Sequence, residues 1–472
     1  MTHARAGSMA FTLALWGCYH GGGGGDDAAD GTAGTLGPES GSASADSTGD
    51  VPDAPELGGV GIMGMRRLSS NEYDNTIRDL LGDDSAAGAA VLPEDVVDPF
   101  DNQFDNQLAS RTLIDALEQL ASEQTASLLA DPARRDELIG CTPSAPDDAA
   151  CMSEFTARFG RRALRRPLAA DEVQRFVDLG LAQAADEDDF HAGVGVILRA
   201  MLQDPEFVYR VEIGTPTDEA GVYRLSEFEV ATRLSYFLWG TTPDDALLDR
   251  AEAGELVTPD DVRAAAQDML ADERALPRID RFHSMWLGYY RLPHDAALTA
   301  AMRTETRMLL EKTIVEERAD WRSLFGATGT FLDDTLAAHY GLPAPGTDTF
   351  TWVEYGDSGR KGLLSQGSFL SVAGKFGDTS PTQRGKLIRK RLFCQSIPPP
   401  PPEVNVDEPP PEVQSPCKID RYNMTEIQGC AACHELMDPV GFGLENYDQA
   451  GRFRTTDNDL PQCEIAGEGT ID

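Results

Sequence analysis

The sequence predicts a mainly α-helical protein built from several small helical domains. Apolar residues recur at helical spacing, as in the series Phe155, Phe159 and Ala163. Signals that begin and end helices flank such segments. Ser226 to Glu229 has the pattern of a capping box, and Gly82 is suited to end a helix.

The composition allows two to four such domains with hydrophobic cores. The chain has 472 residues, and 41% of them are hydrophobic. It contains 40 Lys and Arg against 79 Asp and Glu, so the formal net charge is −39. Because this charge repels phosphate backbones, we expect that the body of the protein binds no nucleic acid. After residue 17 the sequence has no apolar run near the roughly 18 residues that a membrane span needs.

Residues 1–17 have the pattern of a signal peptide for export. Arg5 precedes a short apolar stretch over residues 9–16. The string Leu15 to Cys18 resembles a bacterial lipobox, in which Cys18 becomes the lipidated first residue of the mature chain. A plain signal peptide with an incidental cysteine is the alternative. We therefore expect an exported protein of the periplasm or cell surface, held at the outer membrane by a lipid anchor.

Residues 18–65 are predicted to form a disordered acidic linker. From Gly21 to about Gly61 the chain has eight acidic residues and no Lys or Arg. Such a segment cannot bury enough apolar surface to fold. It would act as a flexible tether between the anchor and the body, and a low-complexity remnant without a role is the alternative.

Residues 66–146 are predicted to form the first helical domain. The segment Arg66 to Gly82 has a helical pattern, and a leucine stripe from Leu113 to Leu128 marks a second helix. Between them, Asp98 to Asn106 is rich in carboxylates and amides. Such oxygen ligands could hold Ca²⁺, but their spacing does not match an EF-hand, so turn formation is favoured over calcium binding.

Residues 147–213 are predicted to form a second small helical domain. Phe155, Phe159 and Ala163 lie on one face of its first helix, and Pro167 ends that helix. Arginines occupy the other faces: Arg158, Arg161, Arg162, Arg165 and Arg166. They resemble a binding patch, but in a chain with 79 carboxylates we expect them to pair internally or to face water.

Residues 222–349 are predicted to form the next helical domain. The capping box at Ser226 opens one helix, and Pro259 takes the first position of another. Aromatic residues supply its core rather than a cofactor site: Phe282, Trp286, Tyr289 and Tyr290. The scattered histidines are interpreted as structural: His283, His294 and His339.

Residues 359–472 form the last predicted domain. Ser380 to Gln383 has the pattern of a capping box with proline at the first helical position. The helix that follows is basic and carries Arg384, Lys386, Arg389, Lys390 and Arg391. Five prolines, Pro398 to Pro402, then predict a stiff polyproline II strut about 15 Å long.

The motif Cys430-Ala431-Ala432-Cys433-His434 is the clearest chemical signal in the chain. Its C-x-x-C-H spacing is that of a c-type haem attachment site. Two thiols at this spacing reach the two vinyl groups at one edge of a porphyrin, and His434 then ligates the iron from the same side. Three alternatives remain open. They are a zinc site completed by Cys417 or Cys463, a structural disulfide within the motif, and a thioredoxin-like pair, which would need a βαβ setting that the sequence does not show.

The other cysteines of the body suit an oxidising compartment. Cys141 and Cys151 bracket an acidic loop and are predicted to form a disulfide. Cys394 and Cys417 bracket the proline strut, and a disulfide between them would close it. Cys463 is then left without a partner. Because the chain also ends without a closing helix, we expect a truncated last domain whose missing part held the mate of Cys463.

Five segments together resemble one bacterial family of exported cytochrome-c-like proteins. They are Arg67–Gly82, Phe159–Leu168, Arg233–Trp239, Thr379–Cys394 and Met437–Asp448. The family is built from domains of unknown function in the order DUF1587, DUF1595, DUF1592, DUF1588 and DUF1585. The resemblance covers about residues 66–460 and implies that the last domain is a cytochrome-c-like haem domain. It implies no particular reaction, and it implies that DUF1585 is missing at the C-terminus.

If haem c is attached, His434 is the proximal ligand and the distal ligand is unknown. No Met or His follows Met437. Met424 is therefore a weak candidate, and a His from another domain or the missing C-terminus could supply the ligand instead. Arg389 and Arg391 of the basic helix are possible contacts of the haem propionates. A docking or solvated face is the alternative for that helix.

The sequence favours an exported protein that transfers electrons through one covalently bound haem to an unidentified redox partner. One alternative is a haem-dependent redox enzyme that acts on peroxide or through a partner protein. The other is a surface lipoprotein without haem, with a binding or structural role. A second protein ligand on the iron favours electron transfer, whereas an open face admits O₂ or peroxide.

Overall fold

Helix caps and apolar stripes produce a mainly α-helical fold, as predicted. The computed structural model describes residues 64–375, 377–400, 415–422, 430–457 and 460–465. These residues form 18 α-helices, and their eight β-strands pair only in two-stranded sheets. In this part of the chain no helix is both long enough and apolar enough to cross a bilayer. The predicted signal peptide, Cys18 and nearly all of the predicted linker lie outside the described residues.

The first region begins with a strand, whereas the sequence predicts a helix from Arg66. Arg66–Arg67 (β1) pairs with Tyr209–Arg210 (β2). The helix starts at Ser70, because the side chain of Ser69 accepts a hydrogen bond from the backbone N–H of Glu72 and caps it. The helices of this region are α1 (Ser70–Leu81), α2 (Ala87–Val91), α3 (Arg111–Leu129) and α4 (Pro132–Ile139).

Two carboxylates of the Asp98–Asn106 loop lie beside basic side chains. Asp101 is buried and pairs with Arg281. Asp98 lies 3.7 Å from both Lys390 and Arg391. The loop contains one turn of 3₁₀ helix, Phe104–Asn106. Within the described residues, no group of three or more His, Cys, Asp or Glu side chains is arranged to hold a metal ion.

The second region packs its predicted apolar stripe into the core. Phe155, Phe159 and Ala163 are all buried, and the Cβ-less Gly160 between them lets Leu168 approach α5. Its helices are α5 (Ala149–Ala163), α6 (Ala170–Glu187), α7 (Phe190–Leu202) and α8 (Pro205–Val208).

The arginines of α5, and those of the turn that follows it, form contacts within the molecule. Arg161 contacts three carboxylates of a neighbouring helix at 2.7 to 3.5 Å. Arg166 pairs with Glu172 and Glu206, and Arg165 is buried and donates to backbone carbonyls. These arginines join helices, which confirms the internal pairing expected from the high carboxylate content.

The third region contains the two helix starts that the sequence predicts. Ser226 and Thr258 are the N-cap residues of the helices that follow them. Tyr289 is fully buried as predicted, but Phe282 remains 43% exposed. The helices are α9 (Glu227–Leu238), α10 (Asp245–Glu252), α11 (Pro259–Leu270), α12 (Ala275–Leu287), α13 (Ala296–Leu310) and α14 (Asp334–Tyr340). The strands are β3 (Thr215–Pro216) paired with β4 (Tyr223–Arg224), and β5 (Gly329–Leu332) paired with β6 (Thr351–Glu354).

The last region contains the basic helix and a second helix that carries the cysteine motif. Ser380 caps the basic helix by accepting a hydrogen bond from the backbone N–H of Gln383 at 3.4 Å. The helices are α15 (Gly367–Leu370), α16 (Pro381–Arg391), α17 (Lys418–Arg421) and α18 (Ala431–Phe442). One strand pair, β7 (Gly374–Lys375) with β8 (Asp378–Thr379), precedes α16. Residues 401–414, which follow the start of the predicted proline strut, lie outside the described residues.

Two large hydrophobic cores combine residues from different regions. One core extends from Leu68 through the second region to Tyr236 of α9. The other joins Leu287 at the end of α12 to Ile388 of α16 and to Tyr447. The motif region therefore shares a core with the helices that precede it.

The disulfides differ from the prediction at one pair. Cys141 and Cys151 are joined, as the sequence predicts. Cys417, however, is joined to Cys463, and Cys394 is free and exposed. The predicted Cys394–Cys417 disulfide is therefore wrong, because the chain brings Cys463 to Cys417 with their Cα atoms 5.1 Å apart. The expectation that a missing C-terminal part holds the mate of Cys463 is therefore also wrong, because Cys417 is its partner.

Candidate functional site

The motif residues lie together at the amino-terminal end of α18. The carbonyl of Cys430 accepts hydrogen bonds from the backbone N–H groups of Cys433 and His434, at 3.3 and 3.1 Å. Residues three and four apart on a helix are neighbours, so this turn brings both thiols and the imidazole together. Both cysteines are unbonded and partly exposed, and the His434 side chain is 23% exposed. Two free thiols and one imidazole are thus available within one helical turn.

One nitrogen of His434 is held by the protein. Nδ1 lies 2.7 Å from Oδ2 of Asp438, one turn further along α18. Asp438 is buried, and its Oδ1 accepts a hydrogen bond from Thr382 Oγ1 at 2.7 Å. No described residue is hydrogen-bonded to Nε2. The ring is therefore oriented through Nδ1, and no described side chain competes for Nε2.

Glycines allow α16 and α18 to approach each other closely. A Cβ atom at Gly385 would overlap the backbone of Met437, and one at Gly441 would overlap the backbone of Pro381. Only glycine permits such a close approach of two backbones. The approach places Thr382, in the first turn of α16, beside Asp438 of α18. The orientation of the His434 ring thus depends on the packing of both helices.

Sequence reasoning does not single out Asp438 or Thr382. The spacing of four residues between His434 and Asp438 is a usable signal, because such residues face each other on a helix. No comparable signal identifies Thr382, since its place beside Asp438 depends on the contact between α16 and α18.

A buried charged cluster ties α16 to the segments around α18. Glu445 is 2% exposed and pairs with Arg384 at 3.2 Å, with Lys418 at 3.3 Å and with Arg454 at 2.8 Å. Lys418 also pairs with Asp378 at 2.9 Å. Burial opposes ionisation of Asp378, but Lys418 beside it holds the pKa of Asp378 below its usual value. The cations and carboxylates of this cluster neutralise each other, and their ion pairs connect α16 with the segments on either side of α18.

The two arginines predicted as propionate contacts have different surroundings. Arg389 lies against α18, where its Nε donates to the carbonyl of Leu436 at 2.8 Å. Arg391 lies 3.7 Å from Asp98 of the first region, and its carbonyl accepts a hydrogen bond from Trp286. Arg389 therefore stays near the motif helix, whereas Arg391 is engaged with Asp98.

The three scattered histidines are engaged in hydrogen bonds of their own. Both ring nitrogens of His283 are hydrogen-bonded, and burial lowers the pKa of its ring. His294 contacts a serine hydroxyl at 2.7 Å, and His339 contacts a backbone carbonyl at 2.8 Å. These contacts agree with the structural interpretation. Met424, the candidate distal ligand, lies outside the described residues.

The observed cysteine pairing bears on the other interpretations of the motif. Cys417 and Cys463, which a zinc site would recruit, are bonded to each other and cannot offer thiolates while that bond is intact. Cys430 and Cys433 are not bonded to each other. The strands of the described residues form only two-stranded antiparallel sheets, so no βαβ unit accompanies the motif there.

Four family models match the chain, each described as a protein of unknown function. They are PSD3 (DUF1587) at residues 66–130, PSD5 (DUF1595) at 151–212, PSD4 (DUF1592) at 225–342 and PSCyt3 (DUF1588) at 360–457. The last match contains the cysteine motif, α16 and α18. No curated protein and no solved structure matches the chain. The chain therefore contains the four domains DUF1587, DUF1595, DUF1592 and DUF1588 in this order.

Proposed function

We propose that the protein is an exported c-type haem protein that transfers electrons through one haem attached at α18. The observation that carries the proposal is the pair of free thiols followed directly by an imidazole whose Nε2 has no hydrogen-bond partner among the described residues. The name of the PSCyt3 model, which covers the motif, supports a cytochrome-like domain.

The residues at the start of α18 suit the attachment of haem. Cys430 and Cys433 would form the thioether bonds, and His434 would ligate the iron through Nε2. The bound haem would supply one-electron oxidation and reduction. Asp438 orients the His434 ring through Nδ1. Arg389, which lies against α18, is the predicted propionate contact that remains close to the motif.

We further propose that this electron transfer occurs outside the cytoplasm. The two disulfides, Cys141–Cys151 and Cys417–Cys463, suit an oxidising compartment. The lipobox-like sequence ending at Cys18 supports attachment to the outer membrane through a lipid. A separate redox protein would deliver or accept the electron.

The test uses the full chain produced together with the machinery for c-type haem maturation. We expect the absorption bands of c-type haem and a mass increase equal to one covalently bound haem. The double variant Cys430→Ser/Cys433→Ser should lose both signals. Cys394→Ser is the matched control, because Cys394 is also a free thiol but lies outside the motif, and it should keep both.

The outcomes separate the candidate functions. A wild-type chain without c-type bands after maturation contradicts haem attachment, as does a double variant that retains them. Low-spin iron that does not bind carbon monoxide supports electron transfer. High-spin iron that binds carbon monoxide indicates a haem-dependent redox enzyme in place of an electron carrier.

A further inference from the structure

The carboxylate of Asp438 lies where a hydrogen-bond partner fixes the tautomer and the ring orientation of a metal-bound histidine. Oδ2 of Asp438 lies 2.7 Å from Nδ1 of His434. We assign the hydrogen of this contact to Nδ1, because a carboxylate accepts hydrogen bonds and has none to donate. In that tautomer Nε2 carries the free lone pair. The same contact also directs negative charge at the ring.

On the basis of the proposed haem attachment, we propose that Asp438 is a positioning residue that strengthens the bond from His434 to the iron. A histidine ligand that donates its second N–H to a carboxylate is fixed in tautomer and orientation, and it becomes a stronger base. Stronger donation stabilises the ferric over the ferrous state. Asp438 thereby holds the reduction potential of the attached haem low.

The surroundings of Asp438 leave its charge directed at His434. The residue is 3% exposed, so water screens the contact little. Its only ion-pair partner among the described residues is His434 itself, and no described Lys or Arg pairs with it. Within the part of the chain that the structure describes, Thr382 supplies the one other side-chain hydrogen bond, at 2.7 Å to Oδ1.

The packing of α16 on α18 keeps this arrangement rigid. Thr382 reaches Asp438 because Gly385 and Gly441 let the two backbones touch. A hydroxyl that donates to Oδ1 draws charge away from the carboxylate. Thr382 therefore moderates the effect of Asp438 on His434, and the two residues should shift the reduction potential in opposite directions.

The experiment compares midpoint potentials of full-length variants that carry covalently attached haem. Asp438→Asn should raise the midpoint potential by at least ~59 mV, which corresponds to a tenfold change in the one-electron equilibrium constant. Thr382→Val keeps the side-chain shape but removes the hydroxyl, and it should lower the potential. Asp438→Glu, the conservative variant, should return the potential toward the wild-type value. Glu435→Gln, an exposed carboxylate on the same helix, is the matched control and should leave the potential unchanged.

The opposite signs of the two potential shifts distinguish this role from a structural one, since loosened packing would shift the midpoint potentials of both variants in the same direction. If the potentials of Asp438→Asn and Thr382→Val equal that of the wild type, the inference is overturned while haem attachment stands. If Asp438→Asn does not retain haem, the sign of the Thr382→Val shift decides, and a rise or no change overturns the inference. A wild-type chain that attaches no haem overturns both proposals.

Discussion

At the scale of single residues, Arg384 belongs to the core although its helix is basic in sequence. Its side chain is 2% exposed, and Nη1 donates to the carbonyls of Leu444 and Tyr447 at 2.8 and 2.9 Å. Burial lowers the pKa of Arg384, and Glu445 opposes that effect. The guanidinium thus connects α16 to the segment that follows α18. A cluster of basic residues in the sequence does not identify which of them face the solvent.

The loss of Glu445 should therefore destabilise the protein strongly. In Glu445→Gln the buried Arg384 loses its only ion-pair partner among the described residues. A buried charge left without its partner costs about 3 to 5 kcal/mol of folding free energy. Urea denaturation followed by circular dichroism measures this loss. Glu464→Gln, at an exposed carboxylate, is the control, and equal midpoints for the two variants would contradict the argument.

The motif and its support differ in how far they can be predicted. Cys430, Cys433 and His434 follow from their spacing alone, because the chemistry depends on neighbours in the chain. The partner of Cys417 could not be predicted, since the fold brings a residue 46 positions away next to it. Thr382 belongs to the same class as that disulfide, because its role arises only when α16 meets α18.

At the scale of elements, the contact between α16 and α18 depends on two glycines. Gly385→Ala and Gly441→Ala each insert a Cβ against the backbone of the partner helix, so the helices must separate. Such overpacking costs about 1 to 3 kcal/mol or more. Gly326→Ala is the control, because its nearest neighbour to a Cβ is 3.9 Å away. Thermal unfolding should show a lower midpoint for the first two variants, and an unchanged midpoint would exclude a tight contact here.

Helix boundaries were predictable where the signal is local. Ser226 and Thr258 cap their helices through side chains only three residues from the groups that they bind, so the pattern is visible in the sequence. The helix α1 starts later than the sequence predicts, at Ser70. Arg66–Arg67 pairs with β2, more than 140 residues away, and no local pattern reveals that pairing.

At the scale of the whole molecule, the matched regions are joined through shared interiors. Tyr236 of α9 lies in the core of the first two regions, and its hydroxyl contacts Thr76 at 3.1 Å. Leu287 and Ile388 lie in one core although they belong to different matches. His339 of α14 contacts the backbone of Ala450 at 2.8 Å. Because each of these cores is shared between regions, destabilising one region should weaken its neighbours as well.

A buried carboxyl group in one of these interiors should make the stability of the molecule depend on pH. Glu305 is fully buried on α13 and accepts hydrogen bonds from Thr330 at 2.9 Å and from Tyr340 at 2.8 Å. Burial raises the pKa of Glu305 to about 7, although both hydroxyls favour the charged form. In the unfolded chain the pKa is near its ordinary 4.5.

The sign of the effect follows from these two pKa values. Below pH 4.5 the group is protonated in both states, and its contribution to stability is fully present. As the pH rises toward 7, the unfolded chain releases the proton first, so stability falls, and above 7 the loss stays constant. The total loss is on the order of 3 kcal/mol.

Glu305→Gln cannot ionise and should not show this loss. Urea unfolding at about pH 5 and about pH 8 should therefore show the variant gaining stability relative to wild type at the higher pH. Glu316→Gln, at an exposed site on the same stretch of chain, should follow the wild type. Parallel pH curves for Glu305→Gln and wild type would mean that Glu305 is ionised in the folded protein at both pH values.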